Sequence, residues 1–313
     1  MKKRLVLFFI LCAVTLTILY FIIPVDNSFS KTVYIKTNIN GAGRFLFDEN
    51  KWIKWWPDDL KNNLASTNTK NVDDNYSYSL EKKMYNSINI AIKKNETEFI
   101  TTVNLLPFSN DAVAVLWSCQ FKPDADPIAK IRNYFYSRNL KKNAVEILTH
   151  LKSFLEKSEN IYGINIRQVM VTDTILIATK YQSAIYPSTT IIYGLIEKLK
   201  KYISLNNARE TNPPMLNIIY DSGYFKTMVA IPVDKELPGD SNFLVKRMVP
   251  GKILVTQVKG GIYTTSEALR ELEIYKDDNH LNSPAIPFES LITNRLEEPD
   301  TSKWVTKIYY PIY

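Results

Sequence analysis

Apolar and polar residues alternate in short runs through much of this chain. SKTVYIKTNI (30–39) reads as a strand. NGAGRFLFDENKWIKWWP (40–57) then changes to helical spacing through Phe45, Phe47, Trp52 and Trp56. A polar loop from Asp58 to Asn75 follows, and then four further strands at 76–86, 87–94, 96–107 and 111–123. Asn86-Ser87, Lys94-Asn95 and Ser109-Asn110 supply turn residues between them. A long amphipathic helix over 139–158 closes this half, with Leu140, Ala144, Ile147, Leu148, Leu151, Phe154 and Leu155 on one face.

The second half repeats itself. TILIATKYQS (174–183) and ILVTQVKGGI (253–262) are strand patterns separated by an offset of 79 residues. Each leads into a helix, PSTTIIYGLIEKLKKYISL (187–205) and TTSEALRELEIYKDDNH (264–280). Pro187 suits an early helical turn, and Thr264 with Glu267 has capping-box spacing. Two strands follow each helix, and Pro232 and Pro311 near their ends keep the offset. A duplicated strand-helix-strand-strand unit predicts one sheet with both helices on one face and a groove left on the other.

The N-terminus stands apart. Lys2, Lys3 and Arg4 precede an uncharged apolar run from Leu5 to Ile23, long enough to cross a hydrocarbon core of about 30 Å. No small-residue cleavage site follows it, so the expectation is an uncleaved transmembrane signal anchor, with a removed signal peptide as the alternative. Basic residues inside place the body outside the cytoplasm, on a single-pass protein of the cytoplasmic (inner) membrane. The expected organisation is an anchor at 1–25 and two α+β domains, 26–160 and 161–313.

Composition narrows the function classes. The hydrophobic share of the 313 residues is 45%, enough for packed cores. The net charge is +7, but the basic residues are scattered and form no stripe with interleaved aromatics, so nucleic acid is not an expected partner. With two cysteines, one of them Cys12 within the apolar run, no disulfide is expected in the body. His150 and His280 both fall in predicted helices, and no cluster has metal-ligand spacing. No phosphate-binding loop or nucleophile elbow appears. No cofactor, metal or catalytic residue is therefore assigned.

The D-x-x-x-W-x-x-W-x-P pattern of Asp48, Trp52, Trp55 and Pro57, set between the first strand and the meander, resembles the START-like (SRPBCC) superfamily of polyketide cyclases and lipid-transfer proteins. The resemblance implies a helix-grip domain whose curved sheet wraps its terminal helix around a cavity for an apolar ligand. Trp52, Trp55 and Trp56 either plug the core at a corner or contact such a ligand.

The K-G-G-I-Y segment (Lys259 to Tyr263), the P-F-E segment (Pro287 to Glu289) and the closing Thr306, Ile308, Pro311 and Ile312 resemble the GyrI-like family, the effector-binding domain also fused to AraC- and MerR-type regulators. This resemblance implies a small-molecule groove in which a glutamate of the penultimate strand, here Glu289, faces an amphipathic or cationic ligand.

At period two, PAIPFESLITN (284–294) places Ile286, Phe288 and Ile292 on one face and Pro287, Glu289 and Leu291 on the other. If the helices cover the first face, Glu289 points into the groove, where Tyr263 and Tyr309 could supply rings for a cation. Otherwise Glu289 is a rim carboxylate paired with Lys307 or Lys259. Three classes stay open: a membrane-anchored small-molecule-binding protein, a hydrolase with Glu289 as general base, and a non-catalytic envelope interaction protein.

Overall fold

Strand-period and helix-period segments sort into two compact units, Met1–Lys157 and Ser158–Tyr313, in a computed structural model. The structure describes residues 14–15, 17, 21–23, 28–64, 76–94, 97–109, 111–120, 126–172, 175–283 and 285–312.

In the first unit, β1 (Ser28–Ile35) leads to α1 (Ile39–Leu46) and to 3-10 turns at Glu49–Lys54 and Asp58–Asn63. A meander of β2 (Ser77–Lys83), β3 (Ser87–Lys94), β4 (Thr97–Ser109) and β5 (Ala112–Gln120) follows, and α2 (Pro127–Leu155) ends the unit. The sheet runs β1-β5-β4-β3-β2 and is antiparallel throughout.

Two element boundaries differ from the sequence expectation. The helical pattern over 40–57 breaks after Leu46, because the Asp48 carboxylate accepts from Asn50 N and opens a new turn. α2 starts well before 139, because Asp126 caps it by accepting from Ile128 N and Ala129 N at 3.2 Å each. Trp52, Trp55 and Trp56 are all buried, with Trp52 and Trp56 stacked at 5.3 Å. The Trp52 indole donates to Leu46 O, and the Trp55 indole to Phe45 O. This packing is that of a core plug.

The second unit contains α3 (Ser158–Tyr162), β6 (Arg167–Met170), β7 (Ile175–Ser183), α4 (Thr189–Leu205), β8 (Met215–Asp221) and β9 (Tyr224–Pro232). It continues through β10 (Leu244–Arg247), β11 (Lys252–Lys259), α5 (Ile262–Asp278), β12 (Phe288–Leu291) and β13 (Val305–Ile312). Its sheet runs β10-β7-β9-β8-β12-β13-β11-β6. The repeat is thus present as β7-α4-β8-β9 and β11-α5-β12-β13, joined where β8 pairs antiparallel with β12.

Both helices cover the same face. Leu216 and Leu291 pack with α4 in one core cluster, and Ile308 packs with α5 in another. Glu289 lies opposite Leu216 on one side and opposite Ile308 on the other, and directly paired residues share a face.

α5 begins at Ile262 behind Gly261, with no side-chain cap bond, so the expected Thr264–Glu267 capping box does not form. Its place is taken by a close turn at Gly260, whose φ is +145°. A Cβ on Gly260 would lie 2.4 Å from Thr264 Oγ1. The expected cost of Gly260→Ala is about 1–3 kcal/mol. Gly251→Ala, where nothing lies within 4 Å, should stay within about 0.5 kcal/mol of the wild type. Urea melts of the two variants check this. His280 lies beyond the end of α5 with φ +54°, not within the predicted helix.

The membrane expectation is corrected. Among the described residues, no helix is long and apolar enough to cross a membrane. A crossing needs about 20 consecutive helical residues. The described helical positions of the run are only Val14, Thr15, Thr17, Phe21 and Ile22. The rest of Leu5–Ile23 lies outside the described residues. The fold class is α+β with two sheets. The transmembrane helix, the inner-membrane localisation and the membrane partnership are not supported.

Candidate functional site

The helix-free face of the second sheet carries the candidate site. Period-two alternation puts Leu176 and Ala178 of β7, Met215 of β8 and Ala230 of β9 on this face as a buried apolar cluster. Met228, Leu244, Met248 and Phe288 pack against it. No helix among the described residues covers them. A cavity of about 380 Å³ opens here, floored by Leu176, Met215, Met228 and Ala230 and walled by Met248, Ile286 and Phe288. Asn217 stands on the same face and ties the wall down, donating from Nδ2 to Pro287 O at 2.9 Å.

The cavity's polar border is basic. Lys246 pairs across β10–β7 with Leu176, so its side chain stands on the cavity face. Arg247 and Lys252 edge the cavity from strand ends, but their pair partners Ile175 and Ile312 pack with the helices, so both side chains stand on the other face. Arg247 is ion-paired with Glu236. Lys246 and Lys252 form no ion pair among the described residues. Among the described residues, no aspartate or glutamate lines the cavity.

The residues singled out from sequence do not converge. The helices cover the face bearing Leu291, not the one bearing Phe288, so Glu289 projects to the helix side, away from the cavity. There its Oε2 accepts from the guanidinium of Arg295 at 3.2 Å, the Glu289 side chain being 27% exposed and that of Arg295 7%. Arg295 is the ion-pair partner, in place of Lys307 or Lys259. It also donates to Thr306 Oγ1 at 2.9 Å and sits 4.9 Å over the Trp304 ring. Its backbone N–H donates to the Tyr193 hydroxyl at 2.7 Å.

Burial pushes the Tyr193 phenol up, against the pull of the Arg295 N–H bond. Burial also raises Tyr186, with the Glu289 charge adding to the shift and Arg295 opposing it. Glu289 is therefore the centre of an internally neutralised cluster under the two helices. Tyr263 is largely exposed in the first turn of α5. Tyr309 lies on the cavity side of β13, its ring stacked on Phe288 at 5.0 Å.

Sequence reasoning missed Met215, Met228, Met248 and Lys246. The first two stand in strands where their alternation was readable, but β10 and the β10–β11 turn gave no motif. Among the described residues, no group of histidine, cysteine, aspartate or glutamate could hold a metal.

No family model and no curated protein matches the sequence. Solved structures align with part of the chain. The EcmrR C-terminal domain aligns with 48% of this chain and 98% of its own, at 16% identity and a TM-score of 0.41. SAV2435 bound to tetraphenylphosphonium aligns with 48% of this chain and 94% of its own, at 12% identity and a TM-score of 0.33. A hydrolase from Listeria innocua aligns with 47% and 91%, at 9% identity and a TM-score of 0.37. Each is a likeness at low identity over about half of this chain.

Proposed function

We propose that this protein binds a small amphipathic molecule, and that the ligand lies in the apolar cavity of the helix-free face rather than at Glu289. The observation that carries this reading is the uncovered cavity of about 380 Å³ lined by Met215, Met228, Met248, Ile286 and Phe288. Ligand pockets typically span about 300–1,000 Å³ with mostly apolar walls and a few polar groups.

Three of the chain's six methionines line the cavity. Their unbranched, polarizable side chains suit ligands of variable shape. A general-base role for Glu289 is not favoured, because the buried Arg295 already engages one of its oxygens.

The test is titration with N-phenyl-1-naphthylamine, a neutral apolar fluorophore. Met228→Trp fills the cavity from its floor and should weaken binding at least tenfold, by the loss of about 1.4 kcal/mol or more. Its circular dichroism and melting temperature should match the wild type. Unchanged binding in a folded Met228→Trp variant would overturn the assignment of the cavity.

A further inference from the structure

The charge around the cavity carries a statement about its ligand's head group. We infer that the ligand is an amphipathic anion, a carboxylate on a flexible aliphatic tail, bound tail-inward with its head at Lys246. The inference rests on the cavity being the binding site, as proposed above.

The sign of the border is the first argument. Lys246 is fixed on the cavity face by its register opposite Leu176, whereas Lys252, opposite Ile312 of the α5 cluster, edges the cavity with its side chain turned to the helix face. Neither ammonium has an ion-pair partner among the described residues. The neighbouring Arg247 is paired with Glu236, so the uncompensated charge on the cavity face is that of Lys246. A cationic ligand would meet like charge at the mouth and, among the described lining residues, no carboxylate. An anion would meet the Lys246 ammonium where the apolar wall ends, and a charged acceptor makes the stronger kind of hydrogen bond there.

The shape of the lining is the second argument. Met215, Met228 and Met248 with Leu176 and Ile286 form an aliphatic wall, and Phe288 already has Tyr309 stacked on it. A flexible alkyl chain is matched to such a wall, whereas a rigid polycyclic cation would need free ring faces. The net charge of +7 adds a long-range attraction of the same sign.

Glu289 does not offset this. It lies on the other face of the sheet and is neutralised by Arg295 at 3.2 Å. A cationic ligand at Glu289 would have to displace a guanidinium that also binds Thr306 and covers Trp304.

The experiment uses three probes with one tail, dodecanoate, dodecanol and dodecyltrimethylammonium, titrated into the full-length protein below their aggregation concentrations. Dodecanoate should bind about tenfold tighter than dodecanol and the ammonium weakest, the size expected for one charge-assisted contact at a partly solvated rim. Raising salt should shrink the preference. In the double variant Lys246→Gln, Lys252→Gln, the carboxylate-to-alcohol ratio should fall close to one.

Equal binding of dodecanoate and dodecanol would overturn the anion inference and leave the cavity assignment standing. Tightest binding by the ammonium would overturn it as well. If none of the three probes, nor N-phenyl-1-naphthylamine, binds, the cavity assignment fails and takes the head-group inference with it. A carboxylate preference that survives in the double variant would also overturn it, by placing the head group elsewhere.

Discussion

Replacing Arg295 with leucine is expected to destabilise the second unit by about 3 kcal/mol, near the lower end of the range for breaking a buried ion pair. The loss has three parts. Glu289 is left without its counter-ion, Thr306 Oγ1 loses a donor, and the Trp304 ring loses the cation above it. The value stays at the lower end because Glu289 keeps 27% of its side chain in solvent, where water meets part of its charge.

The informative companion is the double variant Arg295→Leu, Glu289→Leu. A buried pair removed whole often costs little, since its desolvation goes with it. The double variant should therefore recover most of the loss of Arg295→Leu, giving a coupling of about 2 kcal/mol in a double-mutant cycle read by urea unfolding. Additive losses would mean that Arg295 stabilises the fold through Thr306, Trp304 and the Tyr193 hydroxyl, with Glu289 a bystander.

Removing the indole at position 56 should have the largest effect in the first unit. Trp56 is 2% exposed, stacks on Trp52 at 5.3 Å and meets Tyr78 edge-on at 5.3 Å. Trp56→Ala should cost about 3–5 kcal/mol, the range for deleting a large buried aromatic and leaving a cavity. Trp56→Phe, which keeps a ring in the stack, should cost less than half of that. Among the described residues the Trp56 indole N–H has no hydrogen-bond partner, so its removal costs no bond there. Thermal melts followed in the near ultraviolet report the tryptophan cluster directly. A Trp56→Ala variant that melts within a few degrees of the wild type would show that these rings line a space the protein leaves open for a ligand.

The meander of the first unit was legible because β2 to β5 alternate cleanly and are separated by turn residues. The duplication in the second was legible because strand, helix and paired strands recur at one offset. Local competition was harder to read. Asp48 stops a helical pattern that its apolar spacing would have continued, and Asp126 starts a helix where no apolar stripe marks one. Both act through single side chain-to-backbone bonds, which hydrophobic periodicity does not register.

PAIPFESLITN marks the limit of sequence reasoning most clearly. Period two determined that Phe288 and Glu289 point to opposite faces, and that follows from the pleat alone. Which face the helices would cover was decided only in the tertiary structure, where Leu216, Leu291 and Ile308 are all claimed by α4 and α5. Leu291 carried the signal, since it shares its face with Glu289 and is buried. Arg295 lies past the end of β12, beyond the reach of strand parity, and only the folded loop returns it to Glu289. Alternation along a strand is a local, steric property, so the sequence by itself determined it. The assignment of a face to helix or to cavity depends on which apolar set, brought together from several strands and two helices, buries more surface, and only the assembled sheet decided that.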